Sequence, residues 1–171
     1  MTMSTGGRVS EEEYLRTVNE PDYEFEDGVL IDRNVGEIDH SWLQAALGAY
    51  FFRRRKLWDI EAYISLTHRI REGNYRVADV CVHRRPSSKE QIPTTPPLIW
   101  VEILSPKDRY LRVSDKTSQL LEFGVPNVWW IDAETLEAII HTPQGMRGVE
   151  HGILRVEGTP IEVPLHGLEE D

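Results

Sequence analysis

The sequence predicts an α/β fold with a mixed central β-sheet flanked by helices. An apolar segment over 98–104 is followed by a helical pattern over 111–123 and a second apolar segment over 128–132, an order typical of a parallel βαβ pair. Residues 23–31 and 67–83 each show the pattern of a hairpin, with turn residues between two extended runs. A parallel pair beside hairpins indicates a mixed sheet.

The N-terminal half contains two predicted helices. Ser10 and Glu13 match the capping box, so a short helix is expected from Ser10 to about Val18. A longer amphipathic helix is expected over 37–56, which contains no proline. Its predicted apolar stripe consists of Trp42, Ala45, Ala46, Ala49, Tyr50 and Phe52.

The remaining elements are predicted from β-branched and aromatic content and from turn signals. Strands are expected over 58–66, 67–71 and 75–83, then a loop over 84–97 that is rich in Pro, Ser and Thr. Gly124 is a natural stop for the last helix, and two strands follow over 128–132 and 138–141. The segment after Pro143 has the composition of turns and short extended pieces.

The length and composition of the chain limit the classes of protein to which it can belong. A length of 171 residues suits one domain, with a core over 10–142 and a C-terminal extension over 143–171. The sequence has no apolar run near the ~20 residues of a membrane span and no signal-peptide core at its N-terminus. Its single cysteine, Cys81, excludes an internal disulfide. We therefore expect a cytoplasmic protein with no membrane partner.

The charge is distributed unevenly along the chain. The net charge of −10 argues against general nucleic-acid binding. Residues 41–116 nevertheless carry a net charge of +6, between flanking segments of −8 each. The middle of the chain therefore either presents a basic surface or differs from its flanks by chance.

Two carboxylates lie in segments that otherwise look buried. Glu102 falls within the strand LIWVEILSP, and Asp79 lies between Val77 and Cys81, which should share its face of a strand. An unpaired carboxylate in such a place costs several kcal/mol or takes up a proton. Either an arginine partner such as Arg76 or a Mg²⁺ site on neighbouring strands would account for these acids.

Lys116 lies on the helix that follows Glu102. Val113 and Leu120, at i−3 and i+4, place Lys116 at the border of the buried stripe. Its ammonium group can point back to the sheet or extend into solvent. Together with an Asp and a Glu it would hold a divalent cation and a phosphate group.

Four segments, taken in order, resemble the PD-(D/E)XK nuclease superfamily and, more narrowly, the Uma-two family of restriction endonucleases. They are VADVCV, PPLIWVEILSP, DRYLRVSDK and GVPNVWWID, and the similarity spans about residues 10–142. The resemblance implies a restriction-endonuclease-like fold, a DNA substrate and a Mg²⁺-dependent phosphodiesterase site, with Mn²⁺ as a substitute. By family analogy it also implies a homodimer.

The resemblance assigns roles to individual residues. It implies that Asp79 and Glu102 are metal ligands, with the Ile103 carbonyl as a further ligand. Glu24 matches the family's N-terminal acid, which either ligates a second metal or organises the site by holding metal-bound water. Lys116 takes the role of the family's lysine, which has moved from the strand, where Leu104 now stands, to the following helix.

Two further residues match the family, and two positions depart from it. His40 stands where the family often has a His, and Ser105 matches a Ser after the strand. His40 would either bind a phosphate of the substrate or make local hydrogen bonds at the start of the helix. Ala78 replaces the usual proline, and Leu120 replaces an aromatic residue; neither change removes a ligand.

Other features leave alternatives open. If DNA is the substrate, the expected phosphate contacts are Arg53, Arg54, Arg55, Lys56, Arg84 and Arg85. The alternative is that these residues are ordinary solvated charges at a helix end and in a loop. The same fold could instead serve as a non-catalytic nucleic-acid or protein binding module, or as a structural domain with paired acids. The five tryptophans suit either a dimer interface or the core. The spacing of the other histidines indicates no zinc site.

Overall fold

A computed structural model of the chain describes residues 8–16, 23–33, 37–105, 108 and 110–170. Its helices are α1 (Glu11–Arg16), α2 (Ile38–Trp58) and α3 (Tyr110–Phe123). Its strands are β1 (Tyr23–Glu26), β2 (Val29–Asp32), β3 (Ile60–Arg71), β4 (Asn74–Arg84), β5 (Ile99–Leu104), β6 (Val128–Asp132), β7 (Ala138–Thr142), β8 (Gly145–Gly148), β9 (Ile153–Arg155) and β10 (Glu162–Pro164). Short 3₁₀ turns cover Glu150–Gly152 and Leu165–Gly167.

Eight strands form one mixed sheet. The order is β2-β1-β4-β5-β6-β7-β8, with β3 also paired to β4. Strands β5 and β6 are parallel and are connected through α3, whereas the other neighbours are antiparallel. The mixed sheet and its βαβ unit confirm the predicted fold class. Strands β9 and β10 form a separate two-stranded sheet.

Helices α2 and α3 pack on opposite faces of the sheet. Val101 and Trp129 share a core cluster with α2, while Trp100 and Trp130, their neighbours in the sequence, share the other cluster with α3. Because side chains alternate along a strand, this division places one helix on each face. No described helix is long and apolar enough to cross a membrane.

The capping and turn signals at the N-terminal end act as predicted. The Ser10 hydroxyl accepts a 3.1 Å hydrogen bond from the Glu13 backbone N–H at the start of α1. The predicted end of this helix, near Val18, lies outside the described residues. In the β1–β2 turn, Asp27 and Gly28 have φ of 47° and 90°. Two strands were predicted over residues 58–71. Instead Trp58 ends α2, and residues 60–71 form the single strand β3.

The predicted apolar stripe of α2 is largely wrong. The buried apolar side chains of this helix are Leu43, Leu47, Tyr50 and Phe51. Trp42 and Phe52, which the prediction placed inside, are exposed. The spacing i, i+4, i+7, i+8 is one face of a helix, and an alternative face with large aromatics looked equally apolar in the sequence.

The C-terminal segment contributes to the same core as α2. Leu154, Val156, Ile161 and Val163 are buried in the cluster that contains Leu47. The Tyr50 hydroxyl donates a 3.0 Å hydrogen bond to the Glu162 carbonyl. The segment after residue 142 therefore forms part of the wall that supports α2.

Strand β4 changes its regular pattern at Asp79. Ser65 of β3 has a φ of 49° and lies between the pairs Ile64–Val80 and Leu66–Ala78. Ala78 and Cys81 pack in the same cluster although they are three residues apart, so the predicted strict alternation over 77–83 is interrupted. This irregularity allows the side chain of Asp79 to reach the backbone of β5.

Candidate functional site

Asp79 is held by three groups from different elements. Its Oδ1 lies 2.8 Å from Arg33 Nη2, and its Oδ2 accepts a 2.8 Å hydrogen bond from the Ile103 backbone N–H. His40 Nε2, in the first turn of α2, lies 3.5 Å from Oδ2. The arginine beside Asp79 is therefore Arg33, after strand β2, and not the expected Arg76.

Lys116 of α3 lies between two carboxylates. Its Nζ is 2.5 Å from Glu102 Oε1 and 2.6 Å from Glu24 Oε1, and it donates a 3.1 Å hydrogen bond to the Val77 carbonyl. The lysine thus points to the sheet rather than into solvent. Three strands and one helix bring Glu24, Asp79, Glu102 and Lys116 together, as the sequence predicted.

Backbone and side-chain donors fix the two glutamates. Glu24 Oε1 accepts a 2.9 Å hydrogen bond from the Val77 backbone N–H, and Arg76 Nη1 lies 3.5 Å from its Oε2. Glu102 Oε1 accepts a 2.5 Å hydrogen bond from the Trp100 indole. Within the described part of the chain, Glu102 Oε2 has no hydrogen-bond or ion-pair partner, so this oxygen remains available to a ligand.

The site gives its acids different pKa values. Burial, together with the charges of Asp79 and Glu24, raises the pKa of Glu102 to about 7, although Lys116 opposes the shift. Burial would also raise the pKa of Glu24 and Asp79, but neighbouring cations outweigh it and lower both pKa values. At neutral pH Glu24 and Asp79 are therefore ionised, while Glu102 keeps its proton to a higher pH than an ordinary glutamate does.

The bases of the site favour their charged forms. Burial lowers the pKa of Lys116, but Glu102, Glu24 and Asp79 outweigh this effect, so the net shift is upward. The contact with Asp79 raises the pKa of His40 despite its burial. The carboxylates around Lys116 therefore favour its charged form.

Two cavities meet at these residues. A small one of about 40 Å³ is lined by Asp79 and Glu102 among others, and a neighbouring one of about 920 Å³ lies between α3 and the β1–β2 hairpin. Glu24, Lys116 and Arg112 line both. Since one water needs ~10–15 Å³ of such volume, the small cavity has room for a cation and a few ligands.

Comparison with known proteins identifies the family. The family model described as "Uma2: Putative restriction endonuclease" matches residues 11–169. The chain belongs to the Uma2 family. A search of curated proteins found no match.

Two solved structures are similar to this Uma2 chain. The crystal structure of "a putative nuclease belonging to DUF820 from Anabaena variabilis ATCC 29413" is 20% identical, with a TM-score of 0.78, over 95% of this chain and 98% of that one. This match confirms the nuclease-like fold. The DrdV–DNA complex, seen by cryo-EM, is 12% identical with a TM-score of 0.39, over 67% of this chain and 12% of that one. This TM-score does not indicate a shared fold.

Two other predicted site residues lie beside the Uma2 acid cluster. Ile103 lines the small cavity, and its N–H is bound to Asp79, while the ligand role of its carbonyl stays a prediction. Ser105 is buried; its backbone N–H donates a 2.6 Å hydrogen bond to Asp108 Oδ2, and its hydroxyl has no partner among the described residues.

The predicted nucleic-acid contacts lie away from the acid cluster. Arg53 follows His40 by 13 residues on α2, which places it roughly 20 Å along the helix axis. The guanidinium groups of Arg54 and Arg55 stack 3.6 Å and 3.8 Å from the ring centres of Tyr50 and Phe52. Lys56 and Arg84 are exposed, and Arg85 is paired with Glu61. Their contact with nucleic acid stays a prediction.

Sequence reasoning missed several members of the Uma2 site. Arg33 carried no local signal, because its partner comes from a distant part of the chain, and nothing in the sequence around Arg112 indicated that it lines the site. Trp100 could have been found, since residues i and i+2 of a strand share a face and Glu102 stands two positions later.

Proposed function

We propose that this Uma2 protein is a Mg²⁺-dependent endonuclease that hydrolyses phosphodiester bonds in DNA, and that Mn²⁺ can replace Mg²⁺. The observation that carries the proposal is the position of Lys116, between the carboxylates of Glu24 and Glu102 and next to Asp79. A cation and several carboxylates around one cavity are the groups that phosphoryl transfer requires.

The residues fit a divalent cation of the magnesium type. Carboxylate oxygens are the ligands that Mg²⁺ prefers, and Asp79, Glu102 and Glu24 would hold it, with the Ile103 carbonyl as an additional ligand. The raised pKa of Glu102 supports this fit, because a buried acid crowded by two others gains most from a nearby cation. When bound, the metal would activate water and neutralise charge on the phosphoryl group.

The residues of the chain supply the other requirements. Lys116, held as a cation, orients the attacking water and stabilises negative charge on the phosphoryl oxygens. His40, whose pKa is raised beside Asp79, offers a second positive group for a phosphate. Arg112 lines the wider cavity, where a strand of nucleic acid would approach the acids.

One observation favours the alternative of a binding module without catalysis. The acids already have protein partners, since Arg33 pairs with Asp79 and Lys116 pairs with Glu24 and Glu102. A cluster in which each acid already has a cationic partner needs no metal for folding. Metal binding and cleavage must therefore be measured separately.

The direct test is nicking of supercoiled plasmid in Mg²⁺, in Mn²⁺ and in chelator. We expect nicking with either metal and none in chelator. Glu102→Gln and Lys116→Met should reduce the rate at least a hundredfold, because each removes a charged group that contacts the reacting centre. Glu122→Gln, an exposed position on the same helix, is the matched control and should cleave like the wild type.

Two outcomes would overturn the proposal. Nicking that survives both site substitutions would arise from a contaminant or from another site. Metal binding without nicking of DNA or RNA, together with retained nucleic-acid affinity, would support the binding module.

We also propose a homodimer, since cleavage of a duplex needs one site for each strand. Trp42 is the exposed tryptophan of the five, and Ile38, one turn earlier on α2, is 85% exposed. Sedimentation velocity of wild type and Trp42→Gln tests whether this end of α2 forms the interface. A monomeric wild type at micromolar concentration would rule it out.

A further inference from the structure

A second cluster of ligand atoms lies apart from the carboxylates. His68 of β3 and Cys81 and His83 of β4 are all buried, and their ligand atoms lie within 4.8 Å of one another. The two imidazoles face each other with Nε2 atoms 3.0 Å apart and ring planes at 0°. The sequence spacing did not indicate this cluster, because His68 arrives from a different strand.

The orientation of His68 is that of a metal ligand. Its Nδ1 lies 3.2 Å from the Leu66 carbonyl oxygen. A carbonyl oxygen only accepts hydrogen bonds, so Nδ1 carries the proton and Nε2 presents its lone pair to the cluster. Metal-bound histidines are usually held in this way by a backbone carbonyl. Burial lowers the pKa of His68 to about 3, which keeps the ring neutral.

The distances are close to those of an occupied site. Zinc–nitrogen bonds of ~2.0–2.1 Å at a tetrahedral angle place two nitrogens about 3.3–3.4 Å apart. In the chain, with the His68 proton on Nδ1, His83 Nε2–H donates a 3.0 Å hydrogen bond to His68 Nε2. Binding of the ion would replace this hydrogen bond, open the two nitrogens by a few tenths of an ångström and draw in the Cys81 sulfur, which lies within 4.8 Å of both.

The cluster has a route to solvent. His83 and Tyr63 line a cavity of about 450 Å³, together with residues of the loop after β4. An ion can enter from this side, and a water or a small ligand can complete its coordination. Zinc sites with three protein ligands commonly keep a fourth position open in this way.

We propose that His68, Cys81 and His83 bind one transition-metal ion of the zinc class, with the fourth position facing this cavity. A thiolate and two imidazoles select such an ion over Mg²⁺, which prefers oxygen. On binding, the Cys81 thiol proton leaves to solvent and the His83 Nε2 proton moves to Nδ1. The site is separate from the proposed magnesium site.

An ion at this cluster would lie close to the acid site. The ring centre of His68 is 4.9 Å from that of Trp100, and the Trp100 indole donates its hydrogen bond to Glu102. Trp100 therefore contacts both sites. This contact makes the cluster a place from which metal binding can stabilise the position of Glu102.

The test is titration of the purified, metal-free full chain with Co²⁺ in excess Mg²⁺. We expect one Co²⁺ per chain, with the near-ultraviolet charge-transfer absorption of a cobalt–thiolate bond. Cys81→Ala should abolish this absorption, and His83→Gln should weaken Co²⁺ binding at least tenfold. His141→Gln, a partly buried histidine outside the cluster, should bind like the wild type, and Glu102→Gln, in the acid site, should keep the cobalt–thiolate absorption.

The variants distinguish a metal site at Cys81 from binding elsewhere in the chain. No thiolate absorption in the wild type would overturn the proposal, and so would absorption that survives Cys81→Ala. Loss of Co²⁺ binding in Glu102→Gln would place the ion among the carboxylates instead. If Cys81→Ala does not fold, the test uses His83→Gln, since His83 borders the cavity. The circular dichroism spectrum of the His83→Gln variant shows whether that variant is folded.

Discussion

The Trp100 indole N–H donates a 2.5 Å hydrogen bond to Glu102 Oε1, two residues further along strand β5. Both side chains lie on the α3 face of the sheet, and Trp100 is fully buried. The bond leaves Glu102 Oε2 directed away from the indole and fixes the carboxylate next to Lys116. A core tryptophan therefore also orients an acid of the proposed active site.

Trp100→Phe should cost more stability than its loss of packing explains. A hydrogen bond to a charged group contributes about 1.5–3 kcal/mol, in addition to the smaller packing loss. Trp129→Phe is the matched control, because Trp129 is equally buried and its indole nitrogen has no partner among the described residues. Urea unfolding at pH 8 should show a larger loss of unfolding free energy for Trp100→Phe than for Trp129→Phe. Equal losses would mean that the hydrogen bond to Glu102 does not stabilise the fold.

Glu102 should make stability depend on pH in an unusual direction. Its pKa is about 7 in the folded chain against an ordinary value of 4.5, so the folded state holds more protons between these values. The contribution of Glu102 to the free energy of unfolding therefore falls as the pH rises from 4.5 to 7, by on the order of 3 kcal/mol.

Glu102→Gln isolates this effect from the other acids. The lowered pKa values of Glu24 and Asp79 give stability that is present above their ordinary pKa values and lost in acid, and both residues remain in the variant. Unfolding measured from pH 4.5 to pH 8 should show wild type losing stability relative to Glu102→Gln. A difference that does not change with pH would contradict the raised pKa.

Mg²⁺ should stabilise the protein more at pH 8 than at pH 5.5. Protons compete with the cation for Glu102, whose pKa lies between these two pH values. Millimolar Mg²⁺ should therefore raise the melting temperature clearly at pH 8 and little at pH 5.5. The same increase in Glu102→Gln would mean that Mg²⁺ binds elsewhere.

Arg33→Met should be strongly destabilising in chelator. The change leaves Asp79 buried without its cation, and breaking a buried ion pair costs about 3–5 kcal/mol. Arg147→Met breaks the exposed pair with Glu157 and should cost less than about 1 kcal/mol. Millimolar Mg²⁺ should restore part of the loss in Arg33→Met, and no recovery would argue against a metal at Asp79.

Lys56→Gln and Arg84→Gln test the predicted nucleic-acid surface. Both side chains are exposed, and neither has an ion pair within the described chain. If each contacts a phosphate, each substitution should reduce the slope of log affinity against log salt by about 1. Fluorescence anisotropy in chelator gives this slope, and Arg155→Gln is the control. Unchanged slopes would place the DNA elsewhere, near Arg112.

The sequence predicted the acids and the lysine because each broke a local rule. Asp79 and Glu102 stood in apolar strands, and Lys116 bordered a buried helical stripe, so local periodicity singled them out. Their roles came from the family resemblance and stay predictions. Arg33 escaped prediction because its partner lies 46 residues away, a distance that no periodicity reports. The face of α2 was misjudged for a similar reason, since Leu43 and Leu47 are selected by contacts with the sheet and the C-terminal segment.

Helix α2 links two distant parts of the molecule. His40 at its start lies against Asp79, while Tyr50, further along, is bonded to the C-terminal segment at Glu162. A fragment cut after Thr142 would keep the three acids of the site and Lys116. Helix α2, however, would lose the C-terminal surface against which it packs. Weak metal binding by such a fragment would thus reflect a shifted His40 and not a missing ligand.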